Sequence, residues 1–481
     1  MAGIAGIAKA QAWPQVNASL HKTRHRGGSA CSAVEDSKAT MGEVHPTSTG
    51  MWFGRTPGCR AVCDGAIYNW RSLDPEALDV DQALQNLYER QGPAFVNDLD
   101  GSFALAIADE CGIFVARDTL GISPLYCGDY DGAICFASEV KSLVGWARDI
   151  REFPPGHFYH PRTGTKRYGE FTMRQPADMH VADAASELRC RLVNAVAKCV
   201  CFNGEVGCWL SGGIDSSALA ALASLQMSRV KTFSVGAVGA PDLEHARTVA
   251  NAIDSEHHEI TMNEEQMLQV LPEVIYHLES FDALLVRSSV TNYLVGRLAS
   301  EHVNAVLSGE GADELFAGYS YLKTLDRASL AAELVDLTNR LHNTALQRVD
   351  RCSSAHGLFA HTPFLDSNVR EFAATVPLDL KLYRDGEVGE KWILRRALDA
   401  ILPESVVNRP KAKFWEGAGV AESIKEYASR AISDSEFASE RLLPDGSLLN
   451  SKEEFFYYRI FRDQFGLLDD LSFVGRTKCA S

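Results

Sequence analysis

The fold of this chain is decided by residues 206–217, which read Val-Gly-Cys-Trp-Leu-Ser-Gly-Gly-Ile-Asp-Ser-Ser. An apolar segment of strand length, Val206–Leu210, ends at a glycine-rich turn, and an alanine-rich helix is expected from Ser216 to about Gln226. Glycine takes positive φ angles and lets the backbone approach an anion, and the free amides at a helix start bind phosphate oxygens. The stretch therefore predicts a phosphate-binding turn between a strand and a helix.

The side chains of this first turn, Ser211–Ser217, indicate which ligand it binds. The hydroxyls of Ser211, Ser216 and Ser217 are suited to phosphate oxygens, whereas Asp215 would repel a bare phosphate and so predicts a bridging magnesium ion. The turn is not a Walker motif, because no lysine follows its last glycine. A capped helix N-terminus without a ligand is the alternative, since Ser and Asp are ordinary capping residues.

A second glycine-rich turn, Ser308–Glu314, follows the short apolar strand predicted at Ala305–Leu307. It carries three carboxylates within five residues. Acidic groups clustered in this way raise one another's pKa unless cations lie close by. We therefore predict that Asp215 and Asp313 share a magnesium ion bound to the pyrophosphate part of ATP.

Strands and helices alternate through the C-terminal part of the chain. Strands are predicted at Lys231–Val235 and His258–Ile260, helices are predicted at Ala184–Val200 and Asp242–Ile253, and the pattern is mainly helical after about Tyr321. Such alternation is typical of a parallel sheet in a doubly wound α/β domain.

The N-terminal part has a different pattern, because short apolar runs alternate there with turn residues. Examples are Cys59–Cys63, Gly101–Asp109, Gly112–Arg117 and Ala133–Ala137. These runs predict a domain of layered sheets. We expect a layered-sheet domain over residues 1–165, a polar linker over 166–181 and the α/β domain over 182–481.

Composition limits the cellular setting and the partners. The chain has 481 residues, of which 46% are hydrophobic and 23% charged, and its formal net charge is -16. This balance is typical of a soluble globular protein, and the acidity argues against a nucleic-acid partner. No apolar run approaches the roughly 20 residues that span a membrane, and the N-terminus lacks the order of a signal peptide.

Cysteine and histidine usage leads to two further expectations. The twelve cysteines are scattered and form no Cys-x-x-Cys pair, which favours free thiols in a reducing cytoplasm. The histidines, among them His257, His258 and His361, have no partner at metal-ligand spacing, so the sequence predicts no zinc site.

The two turns resemble those of asparagine synthetases, which belong to the ATP-pyrophosphatase (PP-loop) group. Further matches follow in order along nearly the whole chain: Gly65–Asn69, Leu99–Phe103, Ala116–Tyr126, Phe136–Ser142, Phe153–His157, Asp242–Ile260, Tyr276–Asp282, Thr362–Asp366, Glu390–Arg396 and Leu402–Gly419. The resemblance implies an N-terminal glutaminase-type domain with the αββα layers of Ntn hydrolases. It also implies a C-terminal PP-loop synthetase domain with added helices.

The resemblance implies a reaction in two steps, with ATP and Mg²⁺ as cofactors. A carboxylate of an amino-acid substrate attacks the α-phosphorus of ATP and releases pyrophosphate, and an amine then displaces AMP to give an amide. Glu310 would accept the proton of the attacking amine, and Arg409 and Lys411 would face the phosphates or the adenylate. Homodimers are common in this family.

The binding residues follow from the same resemblance. The backbone near Leu210, Val235 and Gly309 would hold the adenosine. The other ATP-binding residues would be Ser211, Gly212, Gly213, Asp215, Ser216, Ser217 and Ser308. The amino-acid substrate would contact Arg287, Ser288, Asp313, Glu314 and Tyr319. Residues 387–395 predict a packing helix, although the resemblance would let Glu390 or Lys391 approach the substrate.

The glutaminase pocket departs from the family pattern at four places. Ala2 stands where glutamine-dependent members have an N-terminal cysteine, so hydrolysis by that nucleophile is impossible. Asp64 replaces the asparagine that donates to the oxyanion, and an ionised carboxylate would repel that charge. The arginine-containing run that binds the carboxylate of glutamine is missing between Arg26 and Asp64, and residues 25–29 differ from His-Arg-Gly-Pro-Asp. We interpret these changes as natural loss of the site rather than as engineering.

The source of the amine is open between two main alternatives. β-Lactam synthetases resemble asparagine synthetases, lack the nucleophile and close a ring with the substrate's own amine, which profits from proximity. Glu310 instead favours an asparagine-synthetase-like site fed by free ammonia. The apolar Leu284–Thr291 run suggests an altered amino-acid substrate, and Phe414–Gly419 is similar to both families. We favour cyclisation in specialised metabolism, with ammonia-dependent asparagine synthesis and a non-catalytic nucleotide-binding homologue as alternatives.

Overall fold

The computed structural model describes residues 2–28, 30–36, 38–45, 60–383, 389–409 and 421–477. The strands in these residues are β1 (Gly3–Ile7), β2 (Ala30–Asp36), β3 (Ala39–His45), β4 (Ala61–Ile67), β5 (Gly101–Asp109), β6 (Gly112–Arg117), β7 (Tyr126–Tyr130), β8 (Ala133–Ala137), β9 (Arg148–Glu152), β10 (His157–His160), β11 (Gly164–Arg167), β12 (Val206–Trp209), β13 (Lys231–Ala237), β14 (Glu256–Met262), β15 (Ala305–Leu307) and β16 (Phe359–His361).

The α-helices in the same residues are α1 (Trp13–Lys22), α2 (Trp70–Leu73), α3 (Val80–Gln91), α4 (Val181–Asn203), α5 (Ile214–Ser224), α6 (Pro241–Ala252), α7 (Glu264–Leu278), α8 (Ala283–Ser300), α9 (Ala312–Phe316), α10 (Arg327–Asn339), α11 (Ala345–Ser354), α12 (Ser367–Thr375), α13 (Leu378–Lys381), α14 (Trp392–Leu398), α15 (Glu404–Val407), α16 (Ala421–Ala431), α17 (Asp434–Glu440) and α18 (Lys452–Phe465).

The N-terminal part consists of two antiparallel sheets that pack face to face. Their strand orders are β2-β3-β1-β8-β7-β9 and β11-β10-β6-β5-β4. Apolar side chains from both sheets, such as Met41, Val62 and Phe136, form the core between them. Helix α1 packs on the first sheet and α3 on the second, which gives four layers. The predicted layered αββα fold is confirmed, and β5, β6 and β8 have the predicted bounds.

The C-terminal part is built on a parallel sheet with the strand order β14-β13-β12-β15-β16. Helices α4 and α5 cover one face and α7 and α8 the other, so each face of the sheet contributes to a separate apolar core. This arrangement confirms the predicted doubly wound α/β domain. Strand β16 lies in the region that was predicted to be mainly helical, because a strand of three residues is too short to give a periodic pattern.

Several element boundaries differ by a few residues from the sequence-based expectation, and two of these differences lie at the first turn and at the linker. Helix α5 begins at Ile214 rather than at Ser216, because Gly213 has an extended backbone and acts as the N-cap. Strand β11 reaches Arg167 through antiparallel pairing with β10, so the first residues of the expected linker belong to the sheet. Helix α4 then begins at Val181, and the domain division at 165 and 182 stays a prediction.

The structure bears on the expectations about cysteines and membrane spans. The nine cysteines whose side chains are described are free thiols. Among the described helices none is both long and apolar enough to cross a membrane.

Candidate active site

A cavity opens at the carboxyl ends of β12, β13 and β15. Strand β12 lies between the other two in the sheet, and ligands of open α/β sheets bind in the crevice at such a position. The cavity has a volume of about 780 Å³ including its open mouth. Its lining includes seven residues that the sequence assigned to ATP binding: Leu210, Ser211, Asp215, Ser216, Val235, Ser308 and Gly309. Glu310, the predicted proton acceptor, and Asp313, a predicted metal ligand and substrate contact, also line it.

The first turn has a backbone that only glycine can adopt at its centre. Gly212 has a φ of +71°, and a Cβ atom there would lie 2.5 Å from Cβ of His245 and 2.6 Å from the backbone nitrogen of Ala246. The turn is therefore pressed against α6. The Oγ atoms of Ser211 and Ser216 are 3.1 Å apart, so two hydroxyls stand together at the helix start.

Three of the predicted nucleotide-binding residues are absent from the cavity wall. Gly212 and Gly213 shape the turn without lining the cavity. Ser217 lies in the first turn of α5, where the helical rotation directs its side chain into the core; it is fully buried, and its hydroxyl has no hydrogen-bond partner among the described residues.

The second turn approaches the first one closely. A Cβ atom at Gly309 would lie 2.9 Å from Cβ of Asp215, so a larger residue would push the two turns apart. This close approach lets acidic side chains from both turns face the same cavity.

Lys391 joins the two turns through one buried ammonium group. Its Nζ atom lies 2.5 Å from Oδ2 of Asp215 and 2.6 Å from Oδ1 of Asp313. A Cβ atom at Gly318 would lie 2.2 Å from Cε of Lys391, so that glycine makes room for the lysine. The predicted packing helix begins only at Trp392, because Lys391 has a left-handed backbone and caps α14.

The carboxylates of Asp215 and Asp313 are suited to Mg²⁺. They come from different turns, converge on one cation and line the same cavity. Magnesium is usually held by one or two carboxylates together with phosphate oxygens and water. The donor set therefore fits the magnesium that the sequence predicts, with Lys391 compensating part of the charge.

Glu310, the predicted proton acceptor, forms an ion pair. Its Oε1 atom accepts a short hydrogen bond from Arg348 on α11, and Nη1 of Arg348 also donates to Oγ of Ser288 at 3.0 Å. Burial alone would lower the pKa of the Arg348 guanidinium, but the Glu310 carboxylate outweighs this effect and raises that pKa. The sequence did not single out Arg348, which lines the cavity beside Glu310.

Two predicted substrate contacts, Glu314 and Tyr319, lie behind the cavity wall. The hydroxyl of Tyr319 donates to Oε1 of Glu314 at 2.5 Å. Burial and the neighbouring charge of Asp313 raise the pKa of Glu314 to about 7. Glu314 is therefore poised to change protonation state near neutral pH.

The residues of helix α8 that line the cavity differ from the substrate contacts predicted on that helix. Arg287 pairs with Glu453 on α18, with 3.0 Å between its Nε and Oε1. Ser288 is buried, and its hydroxyl donates to backbone carbonyls of its own helix. Asn292 and Val295 line the cavity instead, because they lie one to two helical turns further along.

Arg409 lies at the edge of the first turn. Its Nη2 atom donates to Oδ1 of Asp242 at 2.5 Å, and its Nη1 atom is 3.5 Å from the carbonyl oxygen of Ser211. The predicted contacts of Lys411 and of residues 414–419 lie outside the described residues.

A buried arginine lies beside Ala2 and Asp64, where the resemblance places the glutaminase pocket. Arg26 is fully buried, and its Nη2 atom lies 3.0 Å from Oδ2 of Asp64. Its Nε atom donates to the backbone oxygen of Ala2 at 3.0 Å. It also pairs at 2.9 Å with Glu139 and with Asp350. The predicted loss of an oxyanion donor at Asp64 thus coincides with an ion-pair network at that position.

Comparison with known protein families covers both parts of the chain. The glutamine amidotransferase domain family matches residues 1–153, and the asparagine synthase family matches residues 187–336 and 325–473. The fold and the matched regions define an AMP-forming carbon–nitrogen ligase. The chain belongs to the asparagine synthase family.

Similar proteins come from bacteria, plants and fungi. Glutamine-hydrolyzing asparagine synthetase B of Escherichia coli is 34% identical over 436 residues, which covers 84% of this chain and 78% of that protein. Glutamine-hydrolyzing asparagine synthetase 2 of Arabidopsis thaliana is 32% identical over 489 residues, with coverage of 92% and 83%. A probable glutamine-hydrolyzing asparagine synthetase of Schizosaccharomyces pombe is 34% identical over 428 residues, with coverage of 80% and 76%.

Proposed function

We propose that this ligase forms an amide with an amine that does not come from glutamine. The observation that carries the proposal is the buried ion pair between Arg26 and Asp64, with 3.0 Å between Nη2 and Oδ2, beside Ala2. Oδ2 of Asp64 accepts hydrogen bonds from Arg26 and, at 2.9 Å, from Oγ of Ser138, and this side chain has no amide group to donate to an oxyanion. Ala2 has no nucleophile. The nucleophile and the oxyanion donor that the family uses for glutamine hydrolysis are therefore both missing.

The activation step uses the cavity between the two turns. The backbone near Leu210, Val235 and Gly309 would hold adenosine, and the hydroxyls of the first turn would hold phosphate oxygens. Asp215 and Asp313 would hold Mg²⁺, which compensates the charge that develops on pyrophosphate. Lys391 keeps both carboxylates in place, and Arg409 and Lys411 would face the phosphates from the rim.

The amide step joins the activated carboxylate to an amine of the same substrate. A tethered amine reacts with a high effective concentration, so no ammonia has to be captured or retained. Glu310 would accept the proton of the amine, and its pairing with Arg348 fixes the position of its carboxylate at the cavity. Asp313 and the Glu314–Tyr319 pair behind it would help to hold the ammonium group of the amino acid. The product would be a cyclic amide, such as a β-lactam of specialised metabolism.

Ammonia-dependent synthesis of asparagine is the second candidate. It is favoured by Glu310, which asparagine synthetases share, and by relatives whose names specify asparagine synthesis. A non-catalytic nucleotide-binding homologue is a weaker candidate, because the acidic residues of both turns and Lys391 are all in place. The three candidates differ in what they do with ATP and ammonium.

A substrate screen by mass spectrometry distinguishes these candidates. The protein is incubated with Mg²⁺-ATP and single amino acids, with and without ammonium, and pyrophosphate is measured in parallel. Loss of one water from a diamino acid without ammonium supports cyclisation, whereas an ammonium-dependent product supports amidation. Asp215→Ala should abolish pyrophosphate release, and Asp178→Ala, at an exposed position, should leave it unchanged. Equal turnover by Asp215→Ala would contradict the assignment of the site.

A further inference from the structure

Three potential metal ligands meet at the edge of the parallel sheet, and none of them lines the cavity between the two turns. We call Glu256, His258 and His302 the edge cluster. One ligand atom from each residue lies within 4.8 Å of those of the other two. His258 Nε2 is 2.9 Å from Oε1 of Glu256, and the two imidazole rings have their centroids 3.9 Å apart. All three side chains are half-buried, so an ion can reach them.

The backbone explains how the edge cluster forms. Glu256 and His258 are two residues apart on the edge strand β14, so their side chains point to the same face of the sheet. His302 follows α8, which packs on that face. The ring of Phe233 lies beneath both imidazoles, with centroid distances of 5.4 Å to His258 and 5.8 Å to His302. Packing on this buried phenylalanine fixes where the rings lie.

None of the three residues of the edge cluster lines the nucleotide cavity, although Phe233, on which both imidazoles pack, does. Glu256 is the first residue of β14, and His302 precedes β15. Both lie toward the amino ends of the parallel strands, whereas the cavity opens at the carboxyl ends. A ligand bound at the edge cluster would therefore not contact the phosphates.

We propose that the edge cluster binds a divalent transition metal ion, with Zn²⁺ the preferred occupant. Two imidazoles and one carboxylate are a common protein donor set for zinc, and a water molecule completes the coordination. The ion would connect the edge strand to the segment after α8, so it would stabilise the sheet of the synthetase domain. The proposal does not depend on which amine the enzyme uses.

A neighbouring cation limits the affinity. Lys231 lies opposite Glu256 in the strand register, and its ammonium group donates to the backbone carbonyl of His302 at 3.1 Å. This bond anchors the segment that carries His302, but the positive charge opposes a second cation nearby. We therefore expect micromolar rather than nanomolar binding.

Titration of the full-length, tag-free, chelator-treated protein tests the proposal. Isothermal titration with Zn²⁺ in excess Mg²⁺, which occupies the Asp215–Asp313 site, should show a saturable site at the edge cluster. Co²⁺ should give the visible absorption bands of an ion with nitrogen and oxygen ligands. Mutation of a residue that only hydrogen-bonds to a metal ligand already lowers metal affinity about tenfold or more. His258→Ala and His302→Ala remove ligands themselves, so each should lower the Zn²⁺ affinity at least about tenfold. Zn²⁺ at about 100 times its Kd should raise the Tm by several degrees.

His257→Ala is the matched control. His257 is the neighbour of His258 on the same strand, but its ring faces the opposite side, where Nδ1 is 2.9 Å from Oγ1 of Thr232. This variant should bind Zn²⁺ like the wild type. Glu256→Gln keeps the shape of the side chain and tests the third ligand if a histidine variant fails to fold by circular dichroism. Absence of saturable binding, or binding that survives in the folded edge-cluster variants, would overturn the proposal.

Discussion

Lys391 holds together the two acidic residues on which the proposed reaction depends. Its ammonium group is fully buried and contacts carboxylates from both turns. Without a cation between them, two carboxylates that face the same cavity would repel each other. The lysine therefore keeps Asp215 and Asp313 in place before magnesium and phosphate arrive.

Replacing Lys391 by methionine should disrupt this arrangement. Removal of one preorganised electrostatic group typically lowers turnover about 100-fold or more, and pyrophosphate release should fall accordingly. Lys198→Met is the matched control, because Lys198 also bridges two aspartates, at 2.7 Å from Asp100 and 2.6 Å from Asp366, outside the cavity. The control should keep its turnover, and an equal loss in both variants would argue that Lys391 has only a structural role.

Glu314 should make the stability depend on pH. Its pKa is raised from 4.5 to about 7 in the folded protein, mainly by burial. The folded state therefore binds the proton more tightly than the unfolded state. Stability is highest below the unfolded pKa and is lost as the pH rises through the folded value, by about 3 kcal/mol in total.

Denaturant titrations at about pH 5 and about pH 8 measure this effect. Relative to Glu314→Gln, the wild type should lose unfolding free energy between the two conditions. Glu273→Gln controls for the loss of a tyrosine–glutamate hydrogen bond, because exposed Glu273 accepts from Tyr293 at 2.7 Å. If the unfolding free energies of the wild type and of Glu314→Gln changed with pH in parallel, the raised pKa of Glu314 would be contradicted.

At the scale of elements, the strand–turn–helix unit around Ser211–Ser217 was predictable because its signals are local. Apolar residues, adjacent glycines and an alanine-rich run follow one another directly in the sequence. The start of α5 was placed two residues late, because a glycine N-cap has no side chain to mark it. The same locality explains why β5, β6 and β8 were predicted with the bounds that they have.

Contacts between distant elements were not predictable from these patterns. Lys391 reaches Asp215 from a segment far along the chain, and Arg348 reaches Glu310 from α11. Neither residue lies in a turn whose composition indicates phosphate or metal binding. The packing of α8 likewise decides that Asn292 rather than Arg287 lines the cavity. Side-chain periodicity identifies a helix but does not reveal which residue a neighbouring element approaches.

Gly212→Ala tests the shape of the first turn. The new Cβ atom would clash with α6, so Mg²⁺-ATP affinity should fall at least about tenfold and the Tm should drop. Gly239→Ala is the matched control, because Gly239 has a similar φ of +79° but a Cβ atom there would meet no described atom within 4 Å. The control should lose only about 1 kcal/mol from backbone strain. Calorimetric ATP titrations that give equal affinities for both variants would contradict this account.

At the scale of the whole molecule, helix α11 connects the pocket around Ala2 and Asp64 to the cavity between the two turns. Asp350 and Ser354 on this helix accept hydrogen bonds from Arg26, and Arg348 on the same helix binds Glu310. The pocket around Ala2 and Asp64 thus supports the helix that positions the proposed proton acceptor. Under the proposed function, this arrangement gives a physical reason for retaining the N-terminal layers.

Arg26→Met should strongly destabilise the contact between the N-terminal sheets and helix α11. Three buried acidic residues, Asp64, Glu139 and Asp350, would lose a shared partner, and removal of one member of a buried ion pair typically costs about 3–5 kcal/mol. Arg247→Met removes a half-exposed pair with Glu259 and should cost much less, because solvent screens such a pair. Urea unfolding measures the loss of unfolding free energy in both variants. An equally small loss for Arg26→Met would refute the proposal that Arg26 supports helix α11.

The central claim is that the nitrogen of the product amide does not come from glutamine. The direct measurement supplies glutamine labelled with ¹⁵N in its side-chain amide, together with Mg²⁺-ATP and the amino acid that the screen identifies, and analyses the product by mass spectrometry. We predict that pyrophosphate is released, that no glutamate forms and that the product carries no label. Transfer of ¹⁵N from glutamine into the product amide would contradict the account.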